Sequence, residues 1–284
     1  MRLAITCGYR NSLHAVALIH RLTREGHQVA LCLRVRVLSP ARVRFYLRQL
    51  GMSGFQRKLL NRLFPQQASR GAVQNDETTP MLEYLREHGI TSRTTSEACA
   101  RIGVREVVVG SLNHPDVIEL IRRLDVELIV YAGGGILSDA FLNAAPRGVL
   151  NTHGGPLPQF RGMNAGEWAL FHGLHTPVTA HLVTREVDMG PILFQQAVPP
   201  DAWSRGVAYG RGVCTRSVVD ANLEAVRRIA AGQIAPQPQR RADGRTFAVM
   251  APPLIEVLER WIRQGRTPVR SPDDFRFQPT PLDV

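Results

Sequence analysis

RLAITCGYRNSLHAVALIHRLTREGHQVALCL, residues 2–33, decides the architecture. Residues 2–7 are a short apolar run that ends at Gly8. Leu13, Ala17, Leu18 and Leu22 then recur at helical spacing, and a second apolar run covers 27–33. Strand, helix and strand in that order open a parallel sheet with helices packed on it. Further along, 117–124 reads as a helix, 126–132 as a strand and Gly133-Gly134-Gly135 as a turn. A strand at 148–153, a helix at 163–173 and strands at 177–184 and 192–198 complete this pattern. Beyond Pro200, helices are expected at 221–231 and 254–263, with a short segment at 246–250 and a Pro-rich tail.

The fold class is therefore α/β: an open, Rossmann-like, mostly parallel sheet with helices on both faces. The expected division is a catalytic region at 1–200, carrying a basic helical insertion at 34–78, and a C-terminal helical or irregular extension at 201–284. The composition is 44% hydrophobic and 21% charged over 284 residues, which excludes a disordered or fibrous chain. Cys7, Cys32, Cys99 and Cys214 are widely spaced, so a reducing, cytoplasmic setting without disulfides is expected. The N-terminal apolar run is too short for a signal peptide. No apolar run reaches the roughly 18 residues of a membrane span. The histidines show no metal-ligand spacing, and no metal is expected.

Charge is concentrated. From Arg34 to Arg70 there are nine basic residues and no acidic one, against a net charge of +11 for the whole chain. Val43, Leu47 and Leu50, then Phe55, Leu59 and Leu63, suggest two amphipathic helices there, followed by a polar loop at 65–78. Such a stretch suits tRNA, a nucleotide-sugar diphosphate, an acidic carrier protein or an anionic membrane surface. A solvated arginine-rich face is the competing reading.

The stretch that carries chemistry is Asn151-Thr152-His153-Gly154-Gly155-Pro156-Leu157-Pro158-Gln159-Phe160-Arg161-Gly162. Asn151 and His153 stand two apart at a strand end, so both side chains share one face. An amide can donate to developing negative charge, and an imidazole can move a proton near neutral pH. A second turn, Val187-Asp188-Met189-Gly190-Pro191, offers a carboxylate that could orient an imidazole, although spacing alone supplies no distance to His153. Arg161 could anchor the catalytic loop or pair with a nearby carboxylate, the second reading being preferred, and Trp168 reads as core rather than as a ligand platform. At the first helix, Arg10, Asn11 and Ser12 could hold a phosphate, or Asn11 or Ser12 could simply cap it.

Taken together, the Asn-x-His pair, the His-Gly-Gly-Pro-Leu-Pro-Gln-Phe-Arg-Gly loop and the Val-Asp-Met-Gly-Pro-Ile-Leu turn resemble the folate-dependent formyltransferases. That family includes glycinamide ribonucleotide transformylase, methionyl-tRNA formyltransferase and the sugar-amine N-formyltransferases. The resemblance implies that Asn151, His153 and Asp188 are catalytic and that 10-formyltetrahydrofolate donates a formyl group to an amine. It implies that the loop of Gly133, Gly134, Gly135, Ile136 and Leu137 cradles the pterin, with Thr184, Arg185 and Val187 as the other wall. Tyr9, Arg10, Asn11 and Ser12 would then face the amine substrate, and the Leu157–Pro158 bond would be cis. His181 matches a histidine of some relatives, but packing is its expected role because it alternates with Val178, Ala180 and Leu182.

Cys7-Gly8-Tyr9-Arg10-Asn11-Ser12 stands where the ribonucleotide enzyme has a phosphate-gripping glycine-rich turn, which argues against that substrate. The chain after Pro200 is poor in strand patterns, which argues against the barrel of the tRNA enzyme. By elimination the expected acceptor is a small primary amine, foremost an amino sugar on a nucleotide. Formylation of an aminoacyl group on tRNA or a carrier protein, hydrolysis with water as acceptor, and an inactive basic binding module remain alternatives. A homodimer is one assembly left open.

Overall fold

The structure, a computed structural model, describes residues 1–36, 76–266 and 270–275. The expected basic helices and nearly all of the stretches 34–70 and 65–78 lie outside the described residues. The chain divides into two compact units, Met1–Val149 and Leu150–Val284.

The first unit is built on four parallel strands. β1 (Arg2–Cys7) pairs on one side with β2 (Gln28–Val35) and on the other with β4 (Leu128–Ala132), and β2 pairs with β3 (Arg105–Val109). Leu3, Ala4 and Ile5 are fully buried, which a central strand of a parallel sheet requires because both of its faces are covered. Helix α1 (Leu13–Arg24) joins β1 to β2 and buries Ala15, Val16, Leu18, Ile19 and Leu22 along one stripe. Its first turn is closed by Ser12, whose hydroxyl accepts from the Ala15 N–H at 3.3 Å.

Helices α2 (Thr79–Glu87) and α3 (Thr95–Ile102) and strand β3 lie where the sequence reading assigns no element. Both helices are short, at nine and eight residues, so each offers about two turns of periodicity. Glu106 on β3 ties this part together. Its carboxylate accepts from Arg34 at 2.9 Å and from the hydroxyls of Thr95 and Ser96, each at 2.8 Å. Helix α4 (Pro115–Arg123) leads into β4, and the one-turn α5 (Asp139–Leu142) follows the glycine turn.

Antiparallel pairs first enter with β5 (Val149–His153), which pairs with β7 (Val178–Leu182), itself paired with β8 (Ile192–Gln196). The expectation of a mostly parallel, Rossmann-like α/β fold holds, with these antiparallel pairs as its exception. β6 (Phe160–Gly162) lies inside the segment read as a loop and pairs in parallel with β9 (Arg245–Phe247). Helix α6 (Ala165–Phe171) follows β6. Helix α7 runs Val207–Ala230, much longer than the expected 221–231, and α8 covers Pro252–Arg263. Leu170 of α6, Trp203, Val207, Met250 and Leu258 of α8 form one buried cluster, with Trp168, Phe171 and Trp261 packed against it.

Among the described residues no helix is long and apolar enough to cross a membrane. Among them, too, no group of three His, Cys, Asp or Glu residues could hold a metal ion. The four cysteines are free and buried.

Candidate active site

In the second unit, antiparallel pairing sets Asn151 of β5 directly opposite His181 of β7. The Asn151 amide Nδ2 is 3.0 Å from His181 Nε2. Two residues along β5 and on the same face, His153 turns its Nδ1 toward Asp188 Oδ2 at 3.5 Å. Its Nε2 lies 2.8 Å from the Phe160 carbonyl. Both ring nitrogens of His153 thus face oxygen acceptors.

Asp188 sits on the turn between β7 and β8 with φ 52°, a left-handed backbone that aspartate tolerates better than most residues. One carboxylate oxygen accepts from the Gly162 N–H at 2.8 Å. The other lies 3.7 Å from His181 Nε2. Two glycines make this approach possible. Gly162 has φ 89°, and a Cβ there would meet the Phe247 carbonyl at 2.3 Å. Gly190 passes so close to β7 that a Cβ would lie 1.6 Å from the Leu182 carbonyl. From the C-terminal segment, Gln239 donates to the carbonyls of Asp188 and Gly190, at 3.0 and 2.6 Å, and pins the turn from outside.

The loop after His153 is held by its neighbours. Leu157–Pro158 is cis, as the resemblance implies. The Thr179 hydroxyl accepts from Leu157 N–H at 3.2 Å and donates to the Gly155 carbonyl at 2.8 Å. Arg161 is buried, and its guanidinium donates to the backbone carbonyls of Arg241, at 2.9 Å, and Gly244. It therefore serves the pairing of β6 with β9 through backbone carbonyls, not through the nearby carboxylate expected from sequence. Trp168 packs against the buried cluster of the second unit.

His181 differs from its sequence reading. It is 1% exposed, yet its ring faces polar partners rather than the apolar core. Burial pushes its pKa down to about 4, against the opposing pull of Asp188 and with a smaller push from His153. The signal available was the strand pairing, which puts position 181 opposite 151; a single strand read alone does not show it.

In the first unit, the turn 133–137 is braced at three points. The Thr6 hydroxyl donates to the Gly133 carbonyl at 2.7 Å. The Tyr131 hydroxyl accepts from the Gly135 N–H at 3.0 Å and donates to its carbonyl at 2.9 Å. Asn113 donates to the Ile136 carbonyl at 2.9 Å and accepts from the Ser138 N–H at 2.8 Å. Gly135 and Ile136 are exposed, Ile136 at 70%. Leu137 is half-buried. Asn113 carries no motif and was missed; only the tertiary contact reveals it.

The remaining expected residues are placed as follows. Tyr9, Arg10 and Asn11 are exposed, whereas Ser12 is buried as the cap of α1. In the second unit, Thr184, Arg185 and Val187 are exposed on the turn that carries Asp188.

Residues 66–205 match the formyl transferase family model. Among solved structures, glycinamide ribonucleotide transformylase 1 from Symbiobacterium toebii is 20% identical, with 84% of this chain and 94% of that chain covered and a TM-score of 0.53. A sugar N-formyltransferase from Shewanella sp FDAARGOS_354 is 13% identical over 87% of this chain and 77% of that one, with a TM-score of 0.52. An N-formyltransferase from Helicobacter canadensis, solved with folinic acid and dTDP-3-aminofucose, is 13% identical over 86% and 70%, with a TM-score of 0.54. At these identities the structural likenesses carry the fold.

Proposed function

We propose, from the match of residues 66–205 to the formyl transferase family model, that this chain moves a formyl group from 10-formyltetrahydrofolate to a primary amine of a small molecule, foremost a nucleotide-linked amino sugar. The observation that carries this reading is the pairing of His153 with Asp188 at 3.5 Å, with Asn151 two residues before His153 on the same strand face and its amide 3.0 Å from His181. The folate would supply an activated formyl carbon. The braced turn 133–137 suits its pterin: it is held in a set shape by Thr6, Tyr131 and Asn113 and presents the exposed Ile136 side chain.

In this reading the second N–H of the Asn151 amide donates to the oxygen on which negative charge gathers as the amine attacks. His153 donates a further N–H to that oxygen once its Nε2, 2.8 Å from the Phe160 carbonyl here, turns from that carbonyl to the substrate. Asp188 orients the imidazole through Nδ1 and takes part in moving the proton that the amine releases to N10 of the folate, so that the bond from the formyl carbon to N10 breaks and tetrahydrofolate leaves. The carboxylate is itself oriented by the Gly162 N–H. The solved Helicobacter canadensis enzyme, with an amino sugar on a nucleotide and folinic acid, supports the choice of acceptor class. The alternatives of tRNA or a carrier protein rest on residues 34–70, almost wholly outside the described residues.

The test is transfer of labelled formyl from 10-formyltetrahydrofolate to a panel of nucleotide-linked amino sugars. Label should appear on at least one amine, and Asn151→Ala should slow that turnover about 100-fold or more, as loss of an oxyanion donor does elsewhere. Absence of transfer to every amine, with no rise in melting temperature at saturating folate, overturns the proposal.

A further inference from the structure

We propose that His181 is a positioning residue that accepts a hydrogen bond from the Asn151 amide and so fixes which end of that amide is offered to the reacting carbonyl. The inference rests on the formyl-transfer reading above and adds a residue to it.

Proton placement follows from the contacts. His181 Nδ1 lies 3.1 Å from the Leu182 carbonyl, which only accepts. A proton at Nδ1 satisfies that contact. Nε2 then carries a lone pair, and the group 3.0 Å away must be the donating end of Asn151, its Nδ2. The reverse arrangement, with the Asn151 oxygen toward a protonated Nε2, would set the Nδ1 lone pair against the Leu182 carbonyl oxygen. A ring protonated at both nitrogens would instead suit the carbonyl and the Asp188 carboxylate. Asp188 Oδ1 is 3.7 Å from Nε2, beyond hydrogen-bond reach, and His153 faces the same carboxylate from its other side. Burial decides against that charge, since His181 is 1% exposed.

The chemical consequence is specific. An amide has two ends, one donating and one accepting, and only the donating end stabilises an oxyanion. With one Nδ2–H committed to His181, the other Nδ2–H is held in a set direction, and the amide cannot rotate to present its oxygen. The neutral ring also leaves the Asp188 charge to His153.

Two variants separate this role from packing. His181→Gln keeps a side-chain acceptor, whereas His181→Leu keeps comparable bulk without one. With folding checked by thermal melting, the Leu variant should lose about 10–100-fold in kcat, less than or equal to removal of an oxyanion donor, while its KM for folate stays within about twofold. The Gln variant should recover most of that loss. On an Asn151→Ala background, His181→Leu should cost little further. Nitrogen NMR of the full chain labelled at histidine should show His181 neutral and protonated at Nδ1 at pH 7. An unchanged kcat in the Leu variant, an equal loss on the Asn151→Ala background, or a ring protonated at Nε2 overturns the proposal. If the wild-type chain transfers no formyl group, the functional reading falls and takes this one with it. Transfer with the wrong NMR tautomer sinks this one alone.

Discussion

Asp188 is the residue on which the second unit's polar cluster turns, because its carboxylate accepts from the Gly162 N–H and faces both His153 and His181. Asp188→Asn changes little in volume but removes the charge that faces His153 and puts a donating amide group in the carboxylate's place. We expect turnover to fall by about two orders of magnitude or more, with the melting temperature within a few degrees of wild type; steady-state kinetics alongside a melting curve checks both. His153→Ala should do the same. Wild-type rates in both variants would remove these residues from the reaction. His153 shows how far residue reading goes: its place beside Asn151 follows from the two-residue period of a strand. Its contacts with Phe160 and Asp188 do not, since they join positions separated by loops.

At the scale of elements, α7 shows tertiary packing overriding local preference. Its first half contains Gly210 and Gly212, and an isolated helix would disfavour both by about 1 kcal/mol each relative to alanine. The sequence reading accordingly starts this helix at 221. The structure starts it at Val207 because Gly210 lies against the Trp203 ring, where a Cβ would approach to 2.2 Å. Gly210→Ala should therefore destabilise rather than stabilise, by about 1–3 kcal/mol, the usual cost of overpacking. Denaturant titration reads the sign directly. The turn 133–137 is the other element whose properties come from outside itself. Asn113→Ala removes both hydrogen bonds that Asn113 makes to it. On the functional reading this should weaken folate binding about tenfold, seen by titration calorimetry, while leaving kcat at saturating folate near wild type.

For the whole molecule, buried histidines tie stability to pH. His20 and His181 are both held below the usual imidazole pKa, chiefly by burial, with His181 at about 4. In the unfolded chain each takes up a proton near pH 6.5, which the folded chain resists. Their contribution is therefore fully present above pH 6.5 and is lost as pH falls through each folded-state pKa, which for His181 is about 4. The slope is up to about 1.4 kcal/mol per pH unit for each group. The urea midpoint should drop clearly between pH 7 and pH 5, and His181→Gln should flatten that drop. An identical pH dependence in the variant would show that His181 does not titrate in this way.

Much of this protein is legible from sequence alone. The strands β1, β2, β4, β5, β7 and β8 and helices α1, α4, α6 and α8 follow from apolar periodicity. Order of motifs marks Asn151, His153 and Asp188 as candidates and points to the formyl transferase family that the family model then matches. Those signals are local, carried by spacings of two to four residues or by short motifs. What the tertiary structure alone decided is everything that depends on partners distant in the chain: the 3.5 Å approach of Asp188 to His153, His181 opposite Asn151, Asn113 beneath the glycine turn, and Arg161 tied to Arg241 and Gly244. The physical reason is that periodicity states which face a side chain occupies, whereas register between strands states what it meets there. Register is set by the pairing of whole strands and the packing around them. A histidine on an apolar strand reads as core until the strand beside it is known.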